Sequence, residues 1–451
     1  MTEKTPISYR HIFGIAFPII LSSMAQNVIA LADTVFLGNI GEAELAAAAL
    51  ASVFYSVLVM LMTGFGIGTQ IIIARKLGES QSRSIGRIFQ HSAWFMLFSS
   101  ILIFALFQLF GTNILQFLIQ TPAVRIAVKE YLYTRIYGLP FAFISLSFNA
   151  FYVGTARTRT ISIATIIMGI VNVILDYIFI FGKLHCPAMG MQGAALASVI
   201  AEGIGLSVYF IKSITAVNYV RFRIFDKFNL HRTLFGHMIN MSYPIMFQYF
   251  ISFANYFLFF IFIETLGQKS LAIANITRSM YIIFLLPVWG YAATTASLTS
   301  FLCGQKRENE IFMVVKKAII LGVISVSIIV LPYLLFHNFI LNLFTNDPNL
   351  ATESFVPSLV CIVASFTMAL GQIVFHTIIG QGKTKVSLGI DFVNLIFYIL
   401  YAWYVILYLK SSVAVAFGVE IMYTVGLLII SCIYLYYTKH FSKKVLMDKQ
   451  L

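Results

Sequence analysis

LADTVFLGNIG, residues 31–41, sets a single carboxylate, Asp33, inside an apolar run that extends from Ile12 to Gly38 with no other ionisable side chain. An acid at the centre of a spanning helix costs about 2.5–3.5 kcal/mol on insertion scales, so it persists where it meets a partner, an ion or a water-filled cavity. Asp33 is therefore either an acid satisfied by a neighbouring helix or the seat of a moving cation. Everything around it must first be shown to lie in a membrane.

The chain has 451 residues, of which 60% are hydrophobic, 15% aromatic and 10% charged, and a mean hydropathy of +0.90. A soluble core cannot hide that much apolar surface. About 20 apolar residues cross a bilayer, and such windows recur near 12–38, 47–73, 90–110, 130–152, 161–182, 191–211, 237–262, 271–299, 315–336, 355–378, 386–408 and 412–437. The first follows MTEKTPISYRH and has no small-residue cleavage site, so it reads as a retained helix rather than a signal peptide.

The net charge of +13 would suit a nucleic-acid partner, but its distribution excludes one. Of the 30 Lys and Arg residues, 23 fall in alternate loops or at the two ends, from Lys4 and Arg10 through Arg75, Arg157, Lys212, Lys306 and Lys383 to Lys449. Basic residues mark the cytoplasmic side. Both termini are thus expected in the cytoplasm, with the protein in the plasma (inner) membrane, and that requires an even number of spans. Arg135 and Arg278 fall inside spans. Cys186, Cys303, Cys361 and Cys432 are scattered, without a CxxC or Cys/His cluster, and read as small apolar fillers.

A repeat organises the chain. FPIILSSMAQ (17–26) is answered by YPIMFQYFIS (243–252), and the offset of 226 between Pro18 and Pro244 also links Gly41 to Gly267, Leu45 to Leu271, Gly64 to Gly290, Gly78 to Gly304, Pro122 to Pro348 and Gly154 to Gly380. Six spans per half give both halves one orientation, a parallel repeat of the kind transporters use. The predicted fold is an all-α integral membrane protein, with twelve transmembrane helices in two six-helix lobes related by a pseudo-two-fold along the membrane normal. Residues 1–211 form the first lobe, 212–236 a basic linker read as a solvated face, and 237–451 the second lobe with its tail.

Buried polar groups are unequal between the halves. On the fifth span Asn172 and Asp176 are four apart and share a helical face. Asp33 and Asp176 each lie about 8–9 Å below the same end of their helices at 1.5 Å per residue. Gln26 is two turns from Asp33 on one face, and Ser198 and Glu202 are four apart on the sixth span. Shifted by 226, Asp33 falls on Phe259 and Gln26 on Ser252, while Asp391 on the eleventh span lies near the start of its helix. Asn255, Gln372, His376, Asn394 and Glu420 read as satisfied core groups. Ion coupling is therefore expected in the first lobe.

The segments VIALADTVFLGNIGEAELAAAAL (28–50), GTQIIIARKLGES (68–80), NVILDYIFIFG (172–182) and GMQGAALASVIAE (190–202), with the proline-led opening repeated at 243, resemble the multidrug and toxic compound extrusion family over essentially the whole chain. The resemblance implies two six-helix lobes that expose a central cavity alternately to either side, and efflux of organic, often cationic or amphipathic, compounds in exchange for H⁺ or Na⁺. By matching position it places the coupling site, with a possible Na⁺, at Asp33, Asn172 and Asp176. Gln26, Ser198, Glu202, Tyr131 and Asn149 form its supporting network. It implies no cofactor beyond the coupling ion, no enzymatic activity, and a monomer whose partners are small molecules and lipids. Aromatic and Met-rich composition points to an adaptable cavity suited to several ligands. A lipid-linked precursor flippase or lipid exporter would want a strongly basic cavity, and a membrane enzyme would want a clustered His, Asp or Ser motif that Leu184-His185-Cys186 does not supply.

Overall fold

The computed structural model describes residues 7–119, 121–215, 221–226, 228–345 and 347–447. Of the basic residues used for topology, Lys4, Lys227 and Lys449 lie outside these. Twelve helices among the described residues are long and apolar enough to cross a membrane. They are built from thirteen α-helices: α1 (Tyr9–Gly38), α2 (Glu42–Gly78), α3 (Ser82–Leu118), α4 (Pro122–Arg135), α5 (Leu139–Gly154), α6 (Arg159–Phe181), α7 (Gly190–Thr215), α8 (Arg232–Glu264), α9 (Gln268–Gly304), α10 (Ile311–Asn342), α11 (Pro348–Gly380), α12 (Thr384–Ala402) and α13 (Val413–Met447). A bilayer offers the backbone no hydrogen bonds, so each apolar run closes its own ladder as a helix. Every sequence window falls within one of the twelve spans, α4 and α5 making up the fourth, apart from a residue at the edge of the fifth and of the twelfth.

Helix punctuation follows the repeat. Helices α2 and α9 have 37 residues each and begin after Gly41 and Gly267. Pro122 opens α4 and Pro348 opens α11, where a missing amide hydrogen is harmless. Pro18 and Pro244 lie inside α1 and α8.

The residues gather into two compact units, one formed by Leu21–Met246 and the other by the residues up to Ile20 with Phe247–Leu451. Chain membership thus changes inside α1 and inside α8, at positions 226 apart, rather than at the linker where a boundary was expected. Close packing fits this. A Cβ on Gly64 would stand 2.5 Å from Met246 Cα, and a Cβ on Gly290 would collide with the Ile20 side chain. Glycine at 64 and 290 lets α2 approach the opening of α8, and α9 the opening of α1.

Part of the basic linker is packed rather than solvated. Phe222 and Ile224 are each 1% exposed, and Phe222 packs edge-on against Phe151, with ring centroids 5.5 Å apart. Gln90 Nε2 donates to the Asp226 carbonyl at 2.6 Å, and His91 Nε2 accepts from the His231 backbone N–H at 3.0 Å. Two apolar residues inside a charged run were enough to turn a tether into a docked segment.

Candidate functional site: a carboxylate cluster in the first unit

Within the Leu21–Met246 unit, α1 and α6 run side by side in the same direction. Ser22 Oγ meets Thr165 Oγ1 at 2.8 Å, Ile29 lies on Gly169, and Phe36 packs edge-on against Phe181 with centroids 6.0 Å apart. That register brings Asp33 level with Asn172 and Asp176. Asn172 is 2% exposed and Asp176 fully buried.

The Asn172 carboxamide joins the two acids. One terminal atom stands 3.1 Å from Asp33 Oδ1 and 3.2 Å from Asp176 Oδ2. Both neighbours are acceptors, so that atom is the nitrogen, which donates to each. The amide oxygen then faces the Ser198 hydroxyl of α7 at 3.4 Å, a long contact. Asp33 and Asp176 are thus neighbours that interact electrostatically across the amide. Two carboxylates sharing a site disfavour carrying both charges, and a proton or a cation between them relieves the repulsion. Asp176 Oδ1 is buried without a hydrogen-bond partner.

Beside this pair lies a second layer. Arg135 forks onto Glu202, Nη1 to Oε2 at 2.9 Å and Nη2 to Oε1 at 2.5 Å. The Tyr55 hydroxyl donates to the same carboxylate, 3.2 Å from each oxygen, and the guanidinium stacks 3.8 Å from the Tyr55 ring centroid. The chain makes room by breaking its fourth span. Pro140 cannot continue an α-helix hydrogen-bond ladder, and Ile136–Gly138 form a 3-10 turn between α4 and α5. A Cβ at Gly138 would fall 2.5 Å from Glu202 Oε2 and 2.6 Å from Arg135 Nη1. Only glycine leaves the ion pair its place.

Tyr131 is buried within electrostatic reach of Asp33, Asp176, Arg135 and Glu202. Gln26 is exposed on α1 and Asn149 half-buried on α5, and neither makes a side-chain hydrogen bond to the cluster among the described residues. Arg135 was visible as an in-span cation, but nothing in its spacing tied it to Glu202, 67 positions away. Tyr55 had no signal at all.

The second unit holds acids of a different kind. Asp391 is 1% exposed on α12, where it accepts from Tyr423 Oη at 2.8 Å and Ser252 Oγ at 3.5 Å. Glu420 accepts from Tyr398 Oη at 3.1 Å. Each has neutral hydroxyl partners, and no group of opposite charge pairs with either among the described residues.

A family model for MatE matches the chain twice, over residues 18–178 and 244–404, two stretches 226 positions apart. Two relatives are both described as probable multidrug resistance protein NorM. The one from Thermotoga maritima is 22% identical, covering 87% of this chain and 84% of its own. The one from Neisseria meningitidis serogroup B is 26% identical over 74% of this chain and 73% of its own. Among solved structures, a multidrug resistance MATE family transporter of the MOP superfamily superposes with a TM-score of 0.85 at 18% identity over 96% of both chains. A MOP superfamily transporter from Pyrococcus furiosus does so with 0.83 at 18% identity, again over 96% of both. The fold is theirs, and two copies of the family pattern at the internal offset place the chain in the MatE family of multi-pass membrane transporters, which are not enzymes.

Proposed function

We propose that the chain is a secondary active antiporter that exports organic, cationic or amphipathic compounds in exchange for H⁺ or Na⁺ by alternating access. The observation that carries the reading is the Asn172 bridge between Asp33 and Asp176 in a cluster that holds three acids, with Glu202, against one guanidinium. Such a cluster favours taking up a cation. The relatives' names as multidrug resistance proteins support the substrate class, and alternate basic loops support termini on the cytoplasmic side.

The donor set fits either ion. A proton shared by Asp33 and Asp176 suits the geometry with the amide nitrogen facing both. For Na⁺, a hard ion that prefers oxygen, Asn172 would turn its oxygen inward and Asp176 Oδ1 would gain the partner it lacks. Filling the site removes charge between α1 and α6 and lets them shift, which couples ion uptake to substrate release. Proteoliposomes loaded with a fluorescent cation, with Na⁺ and H⁺ gradients imposed separately, test this. Efflux driven by one of the two is expected, and efflux indifferent to both overturns it. Competition among unrelated organic cations is expected in the same assay, whereas strict selectivity for one polar metabolite would count against the substrate class.

A further inference from the structure

Arg278 is the second in-span cation, and the carboxylate cluster makes no use of it. It sits on α9, ten residues from the start of the helix, about 15 Å along its axis. No carboxylate pairs with it among the described residues. Its Nε is buried without a hydrogen-bond partner, and the guanidinium makes no other hydrogen bond there. What it does touch is aromatic. The guanidinium lies 4.9 Å from the Tyr256 ring centroid and 5.3 Å from that of Phe260, two α8 side chains one turn apart whose rings are 5.1 Å from each other. The buried Tyr256 hydroxyl also lacks a partner.

Cation–π contact compensates a guanidinium only in part, and an unpaired charge on a spanning helix marks a pathway or a ligand. Asn275 is exposed and Ser279 half-buried on one face of α9, three residues before Arg278 and one after it. Their side chains bond to their own helix backbone, Asn275 Nδ2 to the Leu271 carbonyl and Ser279 Oγ to the Asn275 carbonyl, both at 3.0 Å. Two polar side chains beside a free guanidinium fit a water-filled passage. The repeat adds that this is no scaffold feature. Positions 226 earlier than Tyr256, Phe260 and Arg278 are Ala30, Thr34 and Ser52.

We infer that Arg278, Tyr256 and Phe260 form an anion subsite, which takes the carboxylate of an aromatic amphiphile. The guanidinium fork receives the two carboxylate oxygens, the Tyr256 hydroxyl is a further donor, and the two rings receive the ligand's aromatic body. The inference rests on the efflux reading and deepens it by giving a ligand's anionic group a place on α8 and α9.

A rhodamine free acid and its cationic methyl ester form a matched probe pair, bound to purified protein in non-ionic detergent and read by fluorescence anisotropy. Wild type should bind both. Arg278→Gln should weaken the acid tenfold or more, about what loss of a charge-assisted hydrogen bond predicts, and leave the ester within about twofold on the same scale. Arg278→Lys should fall between, because it keeps the charge without the fork. Equal losses for acid and ester in both variants would mean a packing role, and failure of wild type to bind the acid would mean no subsite; either overturns the proposal. In nanodiscs, suppression of acid binding by phosphatidylglycerol but not phosphatidylcholine would assign the guanidinium to a lipid phosphate and also overturn it. Binding needs no gradient, so failure of ester efflux in proteoliposomes would remove the transport reading while leaving this result standing.

Discussion

Arg135 and Glu202, 67 positions apart, meet fork to fork inside the first unit at 2.5 and 2.9 Å. With side chains only 11% and 15% exposed, neither has enough water to replace its partner. Glu202→Gln should therefore destabilise the protein by about 3–5 kcal/mol, the usual cost of stranding a buried charge. Arg135→Met combined with Glu202→Leu should recover most of that loss. Thermal unfolding of the purified variants, followed by size-exclusion chromatography, checks both; a double variant no better than the single ones would deny that the pair acts as a unit.

Asp33→Asn should abolish ion-driven efflux while leaving the fold and some substrate binding, because carboxyl and amide share a shape but only one exchanges protons. Asp176→Asn should do nearly the same. Asp391→Asn should matter much less, since Tyr423 and Ser252 can serve an amide as they serve the acid. Concentrative transport by Asp33→Asn liposomes under either gradient would contradict the coupling role.

Removing the Asn172 amide should be far more damaging than removing its neighbour's hydroxyl. Asn172→Leu leaves Asp33 and Asp176 facing each other without a shared donor, and coupled efflux should be lost. The Ser198 contact is long at 3.4 Å, so Ser198→Ala should cost less than about 1 kcal/mol. Initial efflux rates for the two variants, normalised to folded protein, provide the comparison.

Gly64→Ala and Gly290→Ala occupy equivalent places in the repeat but should differ. The new methyl at 64 meets the Met246 backbone, which cannot turn aside, whereas at 290 it meets Ile20 Cγ1, a side-chain atom that a rotamer change can move, with the Ala16 carbonyl oxygen 3.3 Å away. Losses of about 1–3 kcal/mol are typical of overpacking. The first substitution should lie at the high end or fail to fold, and the second should be milder, as read by melting temperature.

Hydropathy and the constant 226 offset made the helices legible, since both depend on local composition and on punctuation by Gly41, Gly267, Pro122 and Pro348. The meeting of Asp33 with Asn172 and Asp176 was also foreseeable, because equal depth on helices of one direction leaves few alternatives. Partners set by packing were not. Glu202 meets Arg135 where the fourth span breaks before Pro140, and the Phe222 ring is buried where Phe151 of α5 offers it a seat. Gln26 shares a face with Asp33 but lies two turns away, about 10 Å along the axis, and Asn149 is half-buried on α5 without a side-chain hydrogen bond to the cluster among the described residues.

The exchange of helix openings at Ile20 and Met246 bears on ancestry. A half-length chain of this design would leave its own first turns unhoused and an empty seat where its sister's should lie. Before fusion, such a protein could satisfy both needs only as a dimer trading its N-terminal segments. The two halves, expressed today as separate polypeptides, should accordingly accumulate together and not alone.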